Sequence, residues 1–211
     1  KNSAANQAFS LATTNWITFG GGTDGNTSAD LDSAIIEAYE MFENPEEIDI
    51  NIIIDSDKST TVKQTINQIC INRKDCMGIL DCQYAQVVNN KGNEAVSLVN
   101  FRLGLSPYLV DNMNINSDKV AAYGNWLEVY DRWNKKYRWI PASGYVAGIY
   151  AHSDNLTDPW FAPAGLNRAI INGVRRLAWN PTMGQRDLLY KNGWNPIVSF
   201  AGQGKVIWGQ K

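Results

Sequence analysis

The sequence has little of what metal binding, disulfide stapling or histidine chemistry requires. Its 211 residues include one histidine, His152, and three cysteines, Cys70, Cys76 and Cys82. The spacing of the cysteines matches no zinc motif, and an odd number of them in a chain of this size argues against a disulfide framework. We therefore expect three buried, reduced thiols, no metal ion and no cofactor.

Long runs of one charge or of apolar residues are also missing. The formal net charge is −2, and the basic clusters at residues 132–138 and 175–176 are short and lie among aromatic and aliphatic residues. Nucleic acid is not an expected partner, because phosphate binding leaves a larger basic footprint. No segment reaches the ~18 apolar residues of a membrane helix, and residues 1–10 lack the apolar centre of a signal peptide, so no membrane contact is expected.

Residues 12–82 carry the pattern of a βαβαβ unit. A short β-like run at 16–19 and a glycine-rich turn at 20–25 precede a helix that Ser28 can cap and that Asn44-Pro45 stops. The isoleucine-rich stretch 48–54 predicts a strand buried on both faces, followed by a helix over 60–75 and a strand over 77–82. This order predicts an α/β fold, a mixed sheet flanked by helices.

The rest of the chain is expected to complete the same domain, residues 1–211. Residues 83–120 are polar and Asn-rich, and we interpret them as an irregular connection with one helix or strand-like piece. Residues 121–211 predict a hairpin-plus-helix part. In it a β-hairpin turns at 131–136, a helix starts at Pro141, a stiff loop covers 158–165, and a second hairpin spans 197–208. Gly144 and Gly148 would let a neighbour approach that helix closely.

Three groups of residues could carry chemistry. Ser143, His152 and Asp154 or Asp158 have the residue types of an acyl-transfer triad, although the chain has no Gly-x-Ser-x-Gly elbow and a serine at a helix start is typical of a cap. The turn at 20–25 could hold a nucleotide, but it lacks the Lys-Ser/Thr of a phosphate loop. Strand-end aspartates could bind a metal or could satisfy backbone donors in turns, and these are Asp49, Asp55, Asp57 and Asp81.

Contact with other protein surfaces is the remaining class of function. Aromatic residues make up 11% of the chain, and exposed aromatics beside Arg or Lys are typical contact residues. The candidate subunit-contact residues are Trp133, Lys135, Lys136, Trp160 and Arg175. For Trp160, packing within one subunit is an equally open interpretation.

A series of short motifs, in one order along nearly the whole chain, resembles the contractile tail sheath proteins of myovirus-type phages, including the T4-like phages. The densest piece is residues 141–151, Pro-Ala-Ser-Gly-Tyr-Val-Ala-Gly-Ile-Tyr-Ala, followed by Ser153-Asp154. The other pieces are residues 20–25, 48–55, 73–76, 79–81, 130–131, 137–141, 159–168, 185–190, 195–197 and 206–209.

The resemblance implies a subtilisin-like sheath core domain without protease activity, cut from a longer chain. Such subunits form stacked hexameric rings of copies around a tail tube protein, between baseplate and tail terminator proteins. Contraction drives the tube through the host envelope. The protein would then reside in the virion after assembly in the host bacterial cytoplasm.

The resemblance leaves two alternatives. One is the sheath of a contractile bacteriocin or a type VI secretion system, and the other, from a different class, is a subtilisin-like hydrolase. Because the family's terminal linking regions would lie outside these 211 residues, we expect the chain alone to remain unassembled.

Overall fold

The computed structural model of the chain describes residues 28–158 and 160–211. The helices are α1 (Ser28–Glu40), α2 (Thr60–Arg73), α3 (Tyr84–Val87), α4 (Glu94–Leu103), α5 (Ser143–Leu156) and α6 (Met183–Lys191). The strands are β1 (Ile52–Ile54), β2 (Met77–Asp81), β3 (Val120–Tyr123), β4 (Trp126–Asp131), β5 (Lys136–Pro141), β6 (Ile170–Ile171), β7 (Val174–Leu177), β8 (Trp194–Asn195), β9 (Ile197–Phe200) and β10 (Gly204–Ile207).

The strands divide into three sheets according to their direction. A four-stranded sheet has the order β1-β2-β3-β8 and all of its pairs are parallel. Two three-stranded sheets, β5-β4-β7 and β6-β10-β9, are antiparallel. The predicted α/β class is confirmed, but parallel and antiparallel strands lie in different sheets instead of in one mixed sheet. The predicted elements at residues 16–19 and 20–25 lie outside the described residues.

The parallel sheet separates two apolar clusters, because successive strand residues point to opposite faces. On β2, Leu80 belongs to one cluster with Val62 and Ile66 of α2, while Ile79 belongs to the other with Val146 of α5. The three cysteines are buried and reduced in the first cluster, as expected. The Sγ atoms of Cys70 and Cys76 are 3.7 Å apart.

Several predicted boundaries and faces were wrong. The strand predicted at 48–54 is limited to Ile52–Ile54; Ile53 is buried, and Ile52 and Ile54 are partly buried against the second cluster. The helix α1 ends at Glu40, before Asn44-Pro45, and α5 starts at Ser143, since Pro141 still pairs with Trp126. In α6, Leu189 is buried and Leu188 is exposed.

Residues 83–120, interpreted as an irregular connection with one helix or strand-like piece, contain the helix α4 and, in addition, the short helix α3 and the start of β3. Leu98 and Phe101 of α4 are fully buried. Phe101 stacks on Trp194 with 6.4 Å between ring centroids, and the Trp194 indole donates to the Leu98 carbonyl at 2.9 Å. Packing against β8, far along the chain, therefore stabilises α4, although the Asn-rich sequence around this helix does not predict it.

A close approach of helix and strands fixes α2 against the sheet at Gly78. A Cβ atom added to Gly78 would lie 2.7 Å from Cγ1 of Val120 and 3.0 Å from Cγ2 of Ile66. Both are β-branched side chains of the buried cluster with little freedom to move. The absent side chain at Gly78 thus sets the distance between α2 and the β2–β3 pair.

A buried polar network joins the carboxyl ends of β1 and β2 to two helices. Asp55 follows β1 and forms an ion pair with Lys63 of α2, and both side chains are fully buried. Asp55 Oδ1 also accepts from the backbone N–H groups of Asp81 at 3.0 Å and Asp57 at 3.2 Å. Asp81 Oδ1 accepts from the Ser143 N–H at 2.8 Å, at the start of α5. These carboxylates therefore hold β1, β2, α2 and α5 together.

Two carboxyl groups in this network have raised pKa values. Burial raises the pKa of Asp81 well above its ordinary value of 3.8, and the neighbouring Asp55 carboxylate raises it further. Burial raises the pKa of Asp57 to about 6. For Asp81 the folded protein binds the proton more tightly than the unfolded chain does, so stability falls as pH rises from 3.8 towards the folded pKa.

Replacing Lys63 by methionine removes the cation and leaves the Asp55 carboxylate buried without an ionic partner. We expect Lys63→Met to lower the free energy of unfolding by about 3–5 kcal/mol in urea denaturation. The exposed control Lys91→Met should change it by less than about 0.5 kcal/mol. Adding Asp55→Asn to Lys63→Met should recover part of the loss, and no recovery would show that the ion pair is not the cause.

Replacing Asp81 by asparagine keeps an acceptor for Ser143 N–H and removes the titration. Relative to the parent chain, Asp81→Asn should therefore become progressively more stable as pH rises from about 4 to about 7. The measurement is the urea midpoint at each pH, with the exposed Asp187→Asn as control. A difference between variant and parent that does not change with pH would contradict the assignment.

The close packing around Gly78 can be tested by comparing its replacement with that of a glycine whose surroundings are open. Gly78→Ala should lower the free energy of unfolding by about 1–3 kcal/mol, because the new methyl group overlaps Val120 and Ile66. Gly148→Ala, in α5, meets nothing within 4 Å and should stabilise by up to ~1 kcal/mol through helix propensity. Equal effects in thermal unfolding would rule out the close-packing explanation.

Candidate functional site

The outer face of the β5-β4-β7 sheet carries a concentration of aromatic and charged side chains. Glu128 pairs with Trp139 and Tyr130 pairs with Tyr137 across the hairpin. Alternation along the strands places these four on one face, while Leu127, Val129 and Ile140 join the apolar cluster on the other face. Tyr130 and Tyr137 are each 49% exposed, and their ring centroids are 5.2 Å apart.

Two neighbouring arginines on β7 share the Glu128 carboxylate. Arg176 binds both Glu128 oxygens, at 2.8 Å and 3.1 Å, and Arg175 Nη1 lies 3.3 Å from Oε2. A register shift beside Glu128 brings both arginines to the same carboxylate. Hydrogen bonding from Arg176 lowers the pKa of Glu128, and the same bond raises the pKa of Arg176.

The arginines also lie over the aromatic rings of β5. The Arg175 guanidinium is 4.2 Å from the Tyr137 ring centroid, and that of Arg176 is 5.2 Å from the Trp139 centroid. Cation–π contact and ion pairing together hold both side chains in place although they are more than half exposed. This part of the surface is therefore ordered before any partner arrives.

The hairpin turn is fixed by Asp131. Its carboxylate accepts from the backbone N–H groups of Trp133 and Asn134, each at 3.1 Å, and pairs with Arg138 at 2.8 Å. Hydrogen bonding from the Asn134 side chain lowers the pKa of Asp131. The turn presents Trp133 with 95% of its surface exposed, next to the exposed Lys135. We call residues 130–138 together with Arg175 and Arg176 the hairpin surface.

The structure brings four of the five predicted contact residues together and separates the fifth. Trp133, Lys135, Lys136 and Arg175 all belong to the hairpin surface. Trp160 lies in the loop between α5 and β6 and is 78% exposed. It stands beside Phe161, whose ring has the Arg168 guanidinium 4.4 Å away.

The sequence-based interpretation missed other members of this surface. Arg176, Tyr137 and Glu128 are as central to it as Arg175 is. The alternation of Tyr137 and Trp139 on β5 was a usable signal, because residues two apart on a strand share a face. The bidentate contact of Glu128 with Arg176 had no local signal, since 48 residues separate them.

The residues proposed for acyl transfer are not brought together. Ser143 and His152 lie on α5 nine positions apart, which is about 14 Å along a helix axis. Ser143 Oγ is buried and has no hydrogen-bond partner among residues 28–158 and 160–211, whereas His152 is exposed beside a groove of about 540 Å³. Ser143 is also not the helix cap, since Ala142 holds that position.

Aspartates at the strand ends accept hydrogen bonds from backbone N–H groups, which is the second of the two roles considered for them. Asp55 and Asp81 accept from backbone N–H groups, and Asp49 is exposed. Across residues 28–158 and 160–211, no three His, Cys, Asp or Glu side chains are grouped so as to hold a metal ion. The glycine-rich turn at 20–25 lies outside this part of the chain.

Among the described residues, Gly144 and Gly148 do not approach another part of the chain closely, since a Cβ atom at either would meet nothing within 4 Å. They line the groove beside His152 instead. No helix in the described ranges is long and apolar enough to span a bilayer.

Comparison with known proteins gives matches along almost the whole chain. The tail sheath proteins of Vibrio phage KVP40 and Enterobacteria phage T4 are 35% and 33% identical to it over 206 residues. Each alignment covers 92% of this chain, and 30% and 31% of the relatives. The tail sheath protein of Salmonella phage ViI is 30% identical over 176 residues, covering 83% of this chain and 27% of that protein. This chain thus spans about 30% of the length of these relatives.

Two solved structures share the fold at 22% identity. A cryo-EM structure of the anti-feeding prophage baseplate, 6-fold symmetrised, aligns with a TM-score of 0.58 over 87% of this chain and 43% of that one. The anti-feeding prophage helical sheath in its contracted state aligns with a TM-score of 0.53 over 92% of this chain and 45% of that one. The model of the phage tail sheath protein central domain matches residues 20–211. The chain therefore belongs to the phage tail sheath protein family, of which it contains the central domain.

Proposed function

We propose that this chain is the core of a subunit of a contractile phage tail sheath, which assembles as stacked hexameric rings of copies around the tail tube. The observation that carries the proposal is the family match over residues 20–211, with three phage tail sheath proteins 30–35% identical over most of the chain. Contraction of the rings would drive the tube through the host envelope. The protein would be a component of the virion, assembled in the cytoplasm of the host bacterium.

The structural neighbours support an assembly that contacts copies of itself and a baseplate. One is described as a helical sheath in the contracted state and the other as a 6-fold symmetrised baseplate. A tail tube protein and a tail terminator complete the proposed partners, since a sheath needs a tube to surround and an end at which to stop. A contractile particle of the anti-feeding prophage kind is the second candidate, because both neighbours belong to that system. The higher identity to phage proteins favours the phage tail.

The described surface suits protein contact better than catalysis. The hairpin surface combines an almost fully exposed Trp133 with ordered arginines, and Trp and Arg are the residues that most often dominate binding energy at interfaces. The separation of Ser143 from His152 removes the geometric basis of the hydrolase alternative. We therefore propose a structural subunit without enzymatic activity, and we propose Trp133, Lys135, Lys136, Trp160 and Arg175 as contact residues.

Assembly can be tested with the intact polypeptide that carries this chain. We expect it to form tubes visible by electron microscopy, and we expect these 211 residues alone to stay monomeric in light scattering over a dilution series. The double variant Trp133→Ala/Arg175→Ala should raise the critical concentration for tube formation roughly 30-fold, equivalent to about 2 kcal/mol. Leu109→Ala, exposed in another loop, is the matched control.

An intact polypeptide that stays monomeric at every concentration would contradict the sheath function. Hydrolytic activity that disappears in His152→Ala would do so as well, and would revive the enzyme alternative. Tubes that form equally well with the double variant would keep the sheath function but remove Trp133 and Arg175 from the contacts.

A further inference from the structure

The charges of this chain are distributed very unevenly. Between Ser28 and Asp57 the sequence has ten Asp and Glu residues and no Lys or Arg, although the formal net charge of the whole chain is only −2. Of these carboxylates, Asp55 alone forms an ion pair in the described part of the chain, with Lys63. The exposed, unpaired members are Glu37, Glu40, Glu43, Glu46, Glu47 and Asp49. We call this set the acidic surface.

The acidic surface is held rigidly on α2. Arg73 Nη1 donates to the carbonyls of Phe42 at 2.7 Å and Ile48 at 3.0 Å, on either side of the turn that follows α1. The Asn72 side chain donates to Glu43 at 2.9 Å, and Asn44 Oδ1 accepts from the Glu46 N–H at 3.1 Å. A surface fixed in this way loses little conformational entropy when a partner binds.

An apolar pocket opens beside these carboxylates. It has a volume of about 190 Å³ and is lined by Tyr39, Phe42, Ile50, Ile52, Ile53 and Ile54. For comparison, a cavity of roughly 150 Å³ holds a benzene ring. An apolar centre with a charged rim is the usual arrangement of a protein–protein interface. A partner for this site should therefore present an aromatic side chain surrounded by cations.

The hairpin surface has that composition. It carries six cationic side chains and one carboxylate, that of Asp131. Glu128, which binds Arg175 and Arg176, adds a second carboxylate next to this surface. The cations are Arg132, Lys135, Lys136, Arg138, Arg175 and Arg176. Trp133 projects from the turn with 95% of its surface exposed and with Arg132 preceding it. No ion pair connects the hairpin surface to the acidic surface within residues 28–158 and 160–211.

We propose that the hairpin surface of one copy docks on the acidic surface of a second copy, with Trp133 in the pocket lined by Tyr39 and Phe42. The two surfaces are different parts of the chain, so the contact is head-to-tail. The first copy keeps its acidic surface free, and the second copy keeps its hairpin surface free. Contacts of this type form rings or helical arrays instead of closed dimers. The inference rests on the proposed sheath function, since it names the surfaces by which copies join.

Carbodiimide cross-linking tests the contact directly, because it joins a lysine to a carboxylate only when the two touch. Tubes are assembled from an equal mixture of ¹⁴N- and ¹⁵N-labelled intact polypeptide, so that mass spectrometry separates links between copies from links within one. We expect links of mixed isotope between Lys135 or Lys136 and the carboxylates of residues 37–49. Lys91, exposed on a different segment, should not form them.

Charge reversal provides a second test. Lys135→Glu/Lys136→Glu and Glu46→Lys/Glu47→Lys should each raise the critical concentration about tenfold or more, since each places like charges across the contact. When the two variants are mixed, opposite charges meet at every contact of an array in which the variants alternate, so the critical concentration should return to within about threefold of the parent. All four residues are exposed, so urea midpoints should stay unchanged and exclude misfolding as the cause.

The outcomes separate this inference from the function on which it rests. If tubes form but the mixed-isotope links join other surfaces, or if mixing fails to restore assembly, the docking is wrong and the sheath function stands. If the parent polypeptide forms no tubes at any concentration, the sheath function fails and the docking fails with it.

Discussion

The buried ion pair of Asp55 and Lys63 is the interaction on which the rest of the structure depends. It lies where β1 and β2 end, and its carboxylate also accepts from the backbone of β2. The neighbouring Asp81 extends the network to the first turn of α5, which carries the second apolar cluster. Two charges without access to water are costly alone, so each element is held in the one arrangement that pairs them.

A rigid frame of this kind matters for a protein that works through its surfaces. The β5-β4-β7 sheet packs its inner face on the cluster around α5, and its outer face holds Glu128 between two arginines. The turn that carries the acidic surface is tied to α2 by Arg73, one helical turn beyond the buried Cys70. The two surfaces are therefore held by the two apolar clusters on opposite faces of the parallel sheet. A subunit built in this way can change its neighbours by moving as a unit, without refolding.

Much of the fold was predictable where short-range patterns and burial agree. The faces of α2 and the antiparallel pairing of β9 with β10 follow from local periodicity. What failed depends on a distant partner, since α4 is buried by Trp194, which lies far along the sequence. Part of the hairpin surface was predicted, because Trp133 and Arg175 are conspicuous in the sequence. Glu128, which orders both arginines, could be identified only after the strands were paired.

The central claim is that the chain acts by presenting preformed surfaces to copies of itself. A cryo-EM reconstruction of tubes formed by the intact polypeptide, at a resolution that shows side chains, tests it most directly. The account predicts that Trp133 lies against a neighbouring subunit, with the arrangement of Glu128, Arg175 and Arg176 unchanged from that of the single chain. A hairpin that faces solvent all around the tube, or one that has unfolded in the assembly, would contradict it.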